Sequence, residues 1–348
     1  MRMPIAITGS GAVSPAGWGV AALMTALRAG EKITPSLLER MAGETVVRTP
    51  VLRVPVEGAT TPKFARLRRT SPISKFAAAA AAEALGETRL AGIAAGNLRV
   101  GVIFTLTNGC VNYSSRFFGE ALADPALASP ILFPETVFNA PSSHLSAMIG
   151  SVSPNDTLIA DSTGFFSGID LAVEWIERGD VDGCLVISAE EIDWLSAEGL
   201  RHYSRDYIPS EGAAAVYLES TAGPARLLRL PDPVSLSFNS RQQAARKIRA
   251  QLAPADDGQT LLIDGRADIA RYDRPESAAW ADWTGPRWSP RALLGEGMGV
   301  SAALQTVAAV AALAGGQFQQ AVVTATGANQ QAAGLLLGRS PMDCGGKR

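Results

Sequence analysis

The chain has 348 residues, of which 47% are hydrophobic and 18% charged, and its formal net charge is −2. That balance excludes a disordered chain and leaves no global field to attract nucleic acid or an anionic membrane. Cys110, Cys184 and Cys344 are odd in number and scattered, and Met1-Arg-Met-Pro leads straight into a strand rather than a secretory leader. Together these predict a reducing, cytoplasmic setting without disulfides.

Taken in chain order, Ile5 to Gly17 reads as a short apolar strand ending in a Gly/Pro/Ser turn, and Val20 to Ala29 has helical periodicity. The glycines lack the spacing of a dinucleotide fingerprint, so neither a nucleotide nor any other cofactor or metal is expected. Phe76 to Leu85 reads as an Ala-rich helix, and Leu98 to Leu106 as a strand leading into the loop Thr107-Asn-Gly-Cys. Cys110 in that loop has no helix-N-terminal turn and no basic neighbour, which predicts a plain packed thiol. Phe133 to Ala147 carries His144, one of two histidines; the other, His202, is expected in a loop.

Ile159 to Ala172 reads as a sharp turn opening a helix, with Ser162 in the turn, and Cys184 to Glu190 as a buried strand. Arg205 to Glu219 suits two strands meeting at a tight turn at Gly212. Residues 222–257 hold Pro-rich pieces and one basic helix, Arg241 to Leu252, expected as a solvated face. Leu293 to Leu313 is a second glycine turn opening a helix, and Ala321 to Gly327 a strand after it, repeating the order that follows Ser162. No apolar stretch makes a convincing membrane span.

Three of these segments carry a family resemblance. Ile159-Ala-Asp-Ser-Thr-Gly-Phe-Phe-Ser-Gly-Ile-Asp-Leu-Ala172 resembles the nucleophile turn of the β-ketoacyl synthases. Arg205-Asp-Tyr-Ile-Pro-Ser-Glu-Gly-Ala is similar to the family's "Arg-Asp-Gly-Phe … Gly-Glu-Gly-Ala" segment. Arg291-Ala-Leu-Leu-Gly-Glu-Gly-Met-Gly299 is similar to its "Lys-Ser-Met-Thr-Gly-His-Leu-Leu-Gly". The resemblance covers nearly the whole chain. It implies a thiolase-like α/β fold, layered α-β-α-β-α, from two pseudo-repeated halves. These are residues 1–222 with the Ser162 turn and residues 223–348 with the Glu296 turn, in a chain that dimerises.

What the resemblance implies for the site is a series of replacements. Ser162 stands for the cysteine nucleophile, Asp264 (in Leu261-Leu-Ile-Asp-Gly-Arg266) for the first histidine, Glu296 for the second and Arg291 for the lysine. The glycine-rich gate becomes Thr326-Gly-Ala-Asn-Gln-Gln331, with Ala328 for the usual Phe. Thr326, Ala328, Asn329 and His144 are then expected around an acyl or pantetheine pocket. A serine stays protonated without a strong base, and two carboxylates oppose the enolate that neutral imidazoles stabilise, so decarboxylative condensation is not expected.

Ser162 is read either as a helix cap together with Asp161, or as a nucleophile served by His144 with Asp264 or Glu296 as orienter, or by Glu296 itself as base. Arg291 is read either as the lysine replacement or as a plain salt-bridge partner of Glu296. Three functions follow. The first is a chain-length-factor-like partner of an active ketosynthase in fatty acid or polyketide synthesis, binding an acyl carrier protein as a heterodimer or homodimer. The others are a Ser162-dependent acyltransferase or acyl-thioester hydrolase, and a carrier-protein-binding scaffold without a tunnel.

Overall fold

The computed structural model describes residues 4–56, 65–327 and 330–339. The chain opens with β1 (Ile5–Ser14), the short β2 (Gly17–Trp18) and α1 (Val20–Ala29), then a separate hairpin of β3 (Ser36–Ala42) and β4 (Thr45–Val51). Next come α2 (Pro72–Ala94), which breaks direction at Gly86 with φ 66°, β5 (Val100–Leu106), α3 (Val111–Ala123) and α4 (Ala140–Ile149). β6 (Asn155–Ile159), α5 (Gly164–Arg178), β7 (Gly183–Glu190), α6 (Trp194–Tyr203) and β8 (Gly212–Ser220) follow. The remainder begins with β9 (Ala225–Arg229), β10 (Val234–Ser235), α7 (Arg241–Leu252), β11 (Thr260–Ile263) and α8 (Ala270–Ala279). It ends with β12 (Arg287–Trp288), α9 (Pro290–Leu294), α10 (Gly299–Ala314), β13 (Gln320–Thr326) and β14 (Gln331–Arg339).

Strand order displays an internal repeat. From the middle outward, one side runs β1-β8-β7-β5-β6 and the other β9-β14-β13-β11-β12. The first two joints are antiparallel and the last two parallel on each side. Among the described strands the two sides are joined in the sheet where β1 meets β9, through Ala6↔Arg226 and Ile7↔Ala225. Helices α5 and α10 pack against each other and against strands of both sides, α2 and α4 cover the outer face of the first sheet, and α7 and α8 that of the second. This is the five-layered α-β-α-β-α arrangement.

The layers follow from residue type. α10 is buried along almost its whole length, from Gly299 to Leu313, and its alanines let two sheets approach one helix layer. Each fully buried Val or Leu there stabilises the fold by about 1.5–3 kcal/mol. On the other face of β1, a Cβ on Gly11 would collide with the Ala80 carbonyl, so glycine on the strand and alanine on α2 set that spacing together. Among the described residues no helix is long and apolar enough to cross a membrane.

Four local expectations are corrected. Arg205 to Glu219 is not a hairpin: only its second part, from Gly212, is a strand, in β8, and residues 205–211 run beside Glu296, bridged through Pro209. His202 lies in the last turn of α6, not in a loop. α7 is not simply a solvated face: Arg241 is buried, its guanidinium donating to the Gly327 carbonyl at 3.1 Å and the Tyr272 carbonyl at 2.8 Å. Cys110 does stand at a helix start, as the N-cap of α3. Its thiol is nonetheless pushed upward by burial and then by the charges of Glu191 and Glu135, so the helix position does not make a thiolate.

Candidate functional site

Two turns, one from each repeat, border a single cavity of about 410 Å³. In the first, between β6 and α5, Asp161 Oδ1 accepts from the Thr163 amide at 2.9 Å and from the Thr163 hydroxyl at 2.6 Å. Ser162 sits between them, 7% exposed and facing the cavity, and its hydroxyl bonds no described residue. The N-cap of α5 is Thr163, which makes no side-chain cap bond of its own; Asp161 holds that residue in place and Ser162 contributes no capping bond. Among the described residues Asp161 Oδ2 is buried without a partner, beside Gly327, where a Cβ would collide with it.

In the second turn α9 ends at Leu294, and Gly295, with φ 81°, swings Glu296 to the cavity. The Glu296 amide donates to the Ile208 carbonyl at 2.8 Å and its carbonyl accepts from the Ser210 amide at 2.9 Å. Its side chain accepts from the Met298 amide at 2.8 Å and pairs with the Arg291 guanidinium. Met298, at φ 49°, holds a conformation that costs of the order of 1 kcal/mol and that orients the first turn of α10. Arg291 also donates to the Gly265 carbonyl at 2.9 Å and lies 5.5 Å over the Tyr207 ring, while its buried Nε has no acceptor among the described residues. Ser162, Arg291 and Glu296 are thus brought to one cavity, and the salt-bridge reading of Arg291 is what the geometry contains.

The other anticipated residues are elsewhere. Asp264 does follow the end of β11, wholly buried, but it does not border the cavity. Arg266 at 2.9 Å, the Ser289 hydroxyl at 2.7 Å and the Arg287 guanidinium occupy its oxygens. A carboxylate so held is a structural ion cluster rather than a group facing substrate. His144 does not border the cavity either; its Nε2 lies 2.6 Å from Glu135 Oε1, which joins α4 to the turn before it. Thr326 ends β13, and the residue after it, Gly327, lines the cavity. Ala328 and Asn329 lie outside the described residues. Among the described residues no histidine borders the cavity, and no cluster of His, Cys, Asp and Glu could hold a metal.

Sequence reasoning missed Thr107 and Asn108, Tyr207 and Glu190. Thr107 and Asn108 line the cavity, and both donate backbone N–H groups to Glu190 beneath them, that from Asn108 at 3.2 Å. Burial raises the Glu190 carboxyl, hydrogen bonds from Thr107, Asn108 and the Gly299 amide offset part of that rise, and the net result is about 7. One signal was available: a carboxylate closing the otherwise uncharged strand Gly183-Cys-Leu-Val-Ile-Ser-Ala-Glu190 must find donors. The apolar wall comes from Val111 and from Leu195, Leu200 and Tyr203 of α6.

Residues 2–222 match the family model described as the N-terminal domain of β-ketoacyl synthase. No curated protein matches the chain in sequence. Among solved structures, the ishigamide ketosynthase/chain length factor is similar at 20% identity and a TM-score of 0.77, covering 97% of this chain and 100% of that one. A type II polyketide synthase acyl carrier protein in complex with its ketosynthase, bound to the hexaketide, gives 17% identity and a TM-score of 0.78, with 98% and 100% covered. A β-ketoacyl synthase from Burkholderia phymatum STM815 gives 16% and 0.77, with 98% and 100% covered. At these identities the structures speak for the fold, and the family match spans most of the chain. The chain belongs to the β-ketoacyl synthase family.

Proposed function

We infer that the chain is a non-condensing ketosynthase-like subunit. It acts as a chain-length-factor-like partner that shapes the acyl cavity of an active ketosynthase served by an acyl carrier protein. One observation carries this reading: among the described residues no histidine borders the Ser162 cavity, and of the two carboxylates that do, Glu296 is paired with Arg291 and Asp161 holds Thr163 through Oδ1. A serine hydroxyl with only carboxylates, and no imidazole, as neighbouring bases is a poor nucleophile, and a cavity without imidazole donors lacks the groups that stabilise an enolate in this family.

A need for a partner is supported by the surface around α3. Phe118, Leu122, Leu127, Ile131 and Phe133 are all more than half exposed, and Phe117 packs against Phe118 and Phe133. β6 is the open edge of its sheet. Exposed apolar side chains, and separately an open sheet edge, favour association, as a heterodimer with a ketosynthase or as a homodimer when alone. The division into residues 1–222 and 223–348 is part of the same reading, with each half supplying one turn to the cavity.

The test is intact-mass measurement after incubation with acyl- and malonyl-thioesters, alongside Ser162→Ala, together with copurification against a coexpressed ketosynthase. No adduct and a stable heterodimer are expected. The free Ser162 hydroxyl favours a second reading, a serine acyltransferase or thioester hydrolase. An acyl adduct that disappears in Ser162→Ala would establish it and remove the first.

A further inference from the structure

The charges bordering the Ser162 cavity do not balance. Glu296 is paired with Arg291, the one cation among the described lining residues. Asp161 meets no cation: its Oδ1 accepts from the amide and hydroxyl of Thr163, both neutral, and among the described residues its Oδ2 is buried without a partner. Glu190, behind Thr107 and Asn108, likewise takes only uncharged donors among the described residues. One carboxylate on the wall and a second behind it are therefore left without a counter-charge. Next to Asp161, the Ser162 side chain is 7% exposed and faces the cavity, and its hydroxyl bonds no described residue.

The strongest donors that an anion would need are engaged. The Thr107 and Asn108 amides turn away to Glu190, and Arg291 donates to Glu296 and the Gly265 carbonyl, which leaves only its Nε. In a partly enclosed cavity with apolar walls, an unmatched negative charge acts more strongly than at an open surface. It draws a positive group and repels a negative one. Val111, Leu195 and Leu200 supply the apolar wall, and the Tyr203 ring, 46% exposed, adds an aromatic surface that attracts ammonium. A few polar groups set in an apolar lining fix the head of a ligand and leave room for a hydrocarbon chain.

We propose that this cavity binds a primary alkylammonium group, attracted by the charge of Asp161 and donating to the Ser162 hydroxyl oxygen, with its chain along Val111, Leu195 and Leu200. At about 410 Å³ the cavity exceeds the roughly 150 Å³ that takes a benzene-sized ligand, so a six-carbon chain and its head group fit. The inference goes beyond the non-condensing reading and does not rest on it. It needs only the cavity and its charges, and no bond is made or broken.

Ligand-observed NMR titrations with hexylamine, 1-hexanol and hexanoate at about pH 7 and low ionic strength test this. The three probes share a chain and differ in charge, the amine being protonated at that pH as a lysine is. Hexylamine is expected to bind at least about tenfold tighter than 1-hexanol, with hexanoate the weakest of the three. Asp161→Asn keeps an oxygen for Thr163 but removes the charge, so hexylamine falls to the level of 1-hexanol while 1-hexanol itself is unchanged. Gly199→Phe fills the cavity from α6, where an added Cβ meets nothing within 4 Å, and weakens all three probes. Thermal melts confirm that both variants fold; should one fail, the charge series on the native chain still decides.

Equal binding of amine and alcohol, tighter binding of hexanoate, or no binding of any probe overturns the proposal. So does an amine preference that survives Asp161→Asn, or amine binding untouched by Gly199→Phe, which marks a surface site. None of these outcomes bears on the non-condensing reading, which stands or falls on the adduct and copurification measurements.

Discussion

Asp161 holds Thr163 twice, through its amide at 2.9 Å and its hydroxyl at 2.6 Å, and so completes the start of α5 without Ser162. Ser162→Ala should therefore change stability by less than about 0.5 kcal/mol, whereas Asp161→Ala should cost about 1 kcal/mol for the lost helix-start bonds. Urea midpoints measure both. A cost for Ser162→Ala equal to that of Asp161→Ala would mean that the serine hydroxyl has a structural bond after all.

The Arg291–Glu296 pair is nearly withdrawn from water, with side-chain exposures of 13% and 4%. Removing one partner strands the other, so Arg291→Met is expected to destabilise the fold by about 3–5 kcal/mol. The double variant Arg291→Met with Glu296→Met should recover most of that loss, because both charges are then gone. A double variant as unstable as the single one would contradict this account.

Glu190 gives a dependence on pH. Its carboxyl ionises near 4.5 in the unfolded chain and at about 7 in the folded one, so between those values the folded state holds the extra proton. Its contribution to stability is therefore fully present at low pH, declines as pH rises through that window, and is flat above it. Glu276, raised to about 7 by burial and then by Asp264, adds to the same slope. Glu190→Gln should flatten part of the fall in urea midpoint between about pH 5 and pH 7. An unaltered slope would place the titration elsewhere.

Leu122 is 86% exposed on α3 and Phe133 is 58% exposed in the turn packed beside it. Leu122→Glu and Phe133→Glu are expected to leave the melting temperature of the isolated chain unchanged within about a degree or two, since neither residue is buried. The same changes should weaken association with a ketosynthase, or with a second copy, at least about tenfold, as charges in an apolar contact do. Analytical ultracentrifugation separates these effects, and unchanged association would remove this face from the interface.

The two glycine turns were legible in the sequence because their shape depends on local residues: Gly295 turns the chain at Glu296, and a short carboxylate opens α5 at Asp161. Both led to the cavity. Asp264 was aligned to a strand end correctly but misjudged as a site residue, because its partners Arg266, Arg287 and Ser289 come together only in the fold. His144 failed for the same reason, its partner Glu135 being nine residues away across a turn. Segment 205–211 reads as half of a hairpin by its alternation, yet its hydrogen bonds go to Leu52 and Glu296, partners no local pattern reveals. Glu190 was visible as a charge in an apolar strand, while its donors, Thr107 and Asn108, were hidden by distance along the chain.

Ser162 belongs to a turn beside one sheet and Glu296 to a turn beside the other, and only the layer of α5 and α10 keeps the sheets apart. Within that layer Val307, Ala308, Ala309 and Val310 are buried on every side. Their volumes work as shims. A methyl group added to one of these alanines finds no free space, and overpacking of that kind shifts the side chains and backbone of the elements packed on α10, strands of both sheets among them. The bore of the cavity is thus adjustable from positions that never touch its contents, and drift along α10 would retune what the chain admits while every lining residue stayed the same.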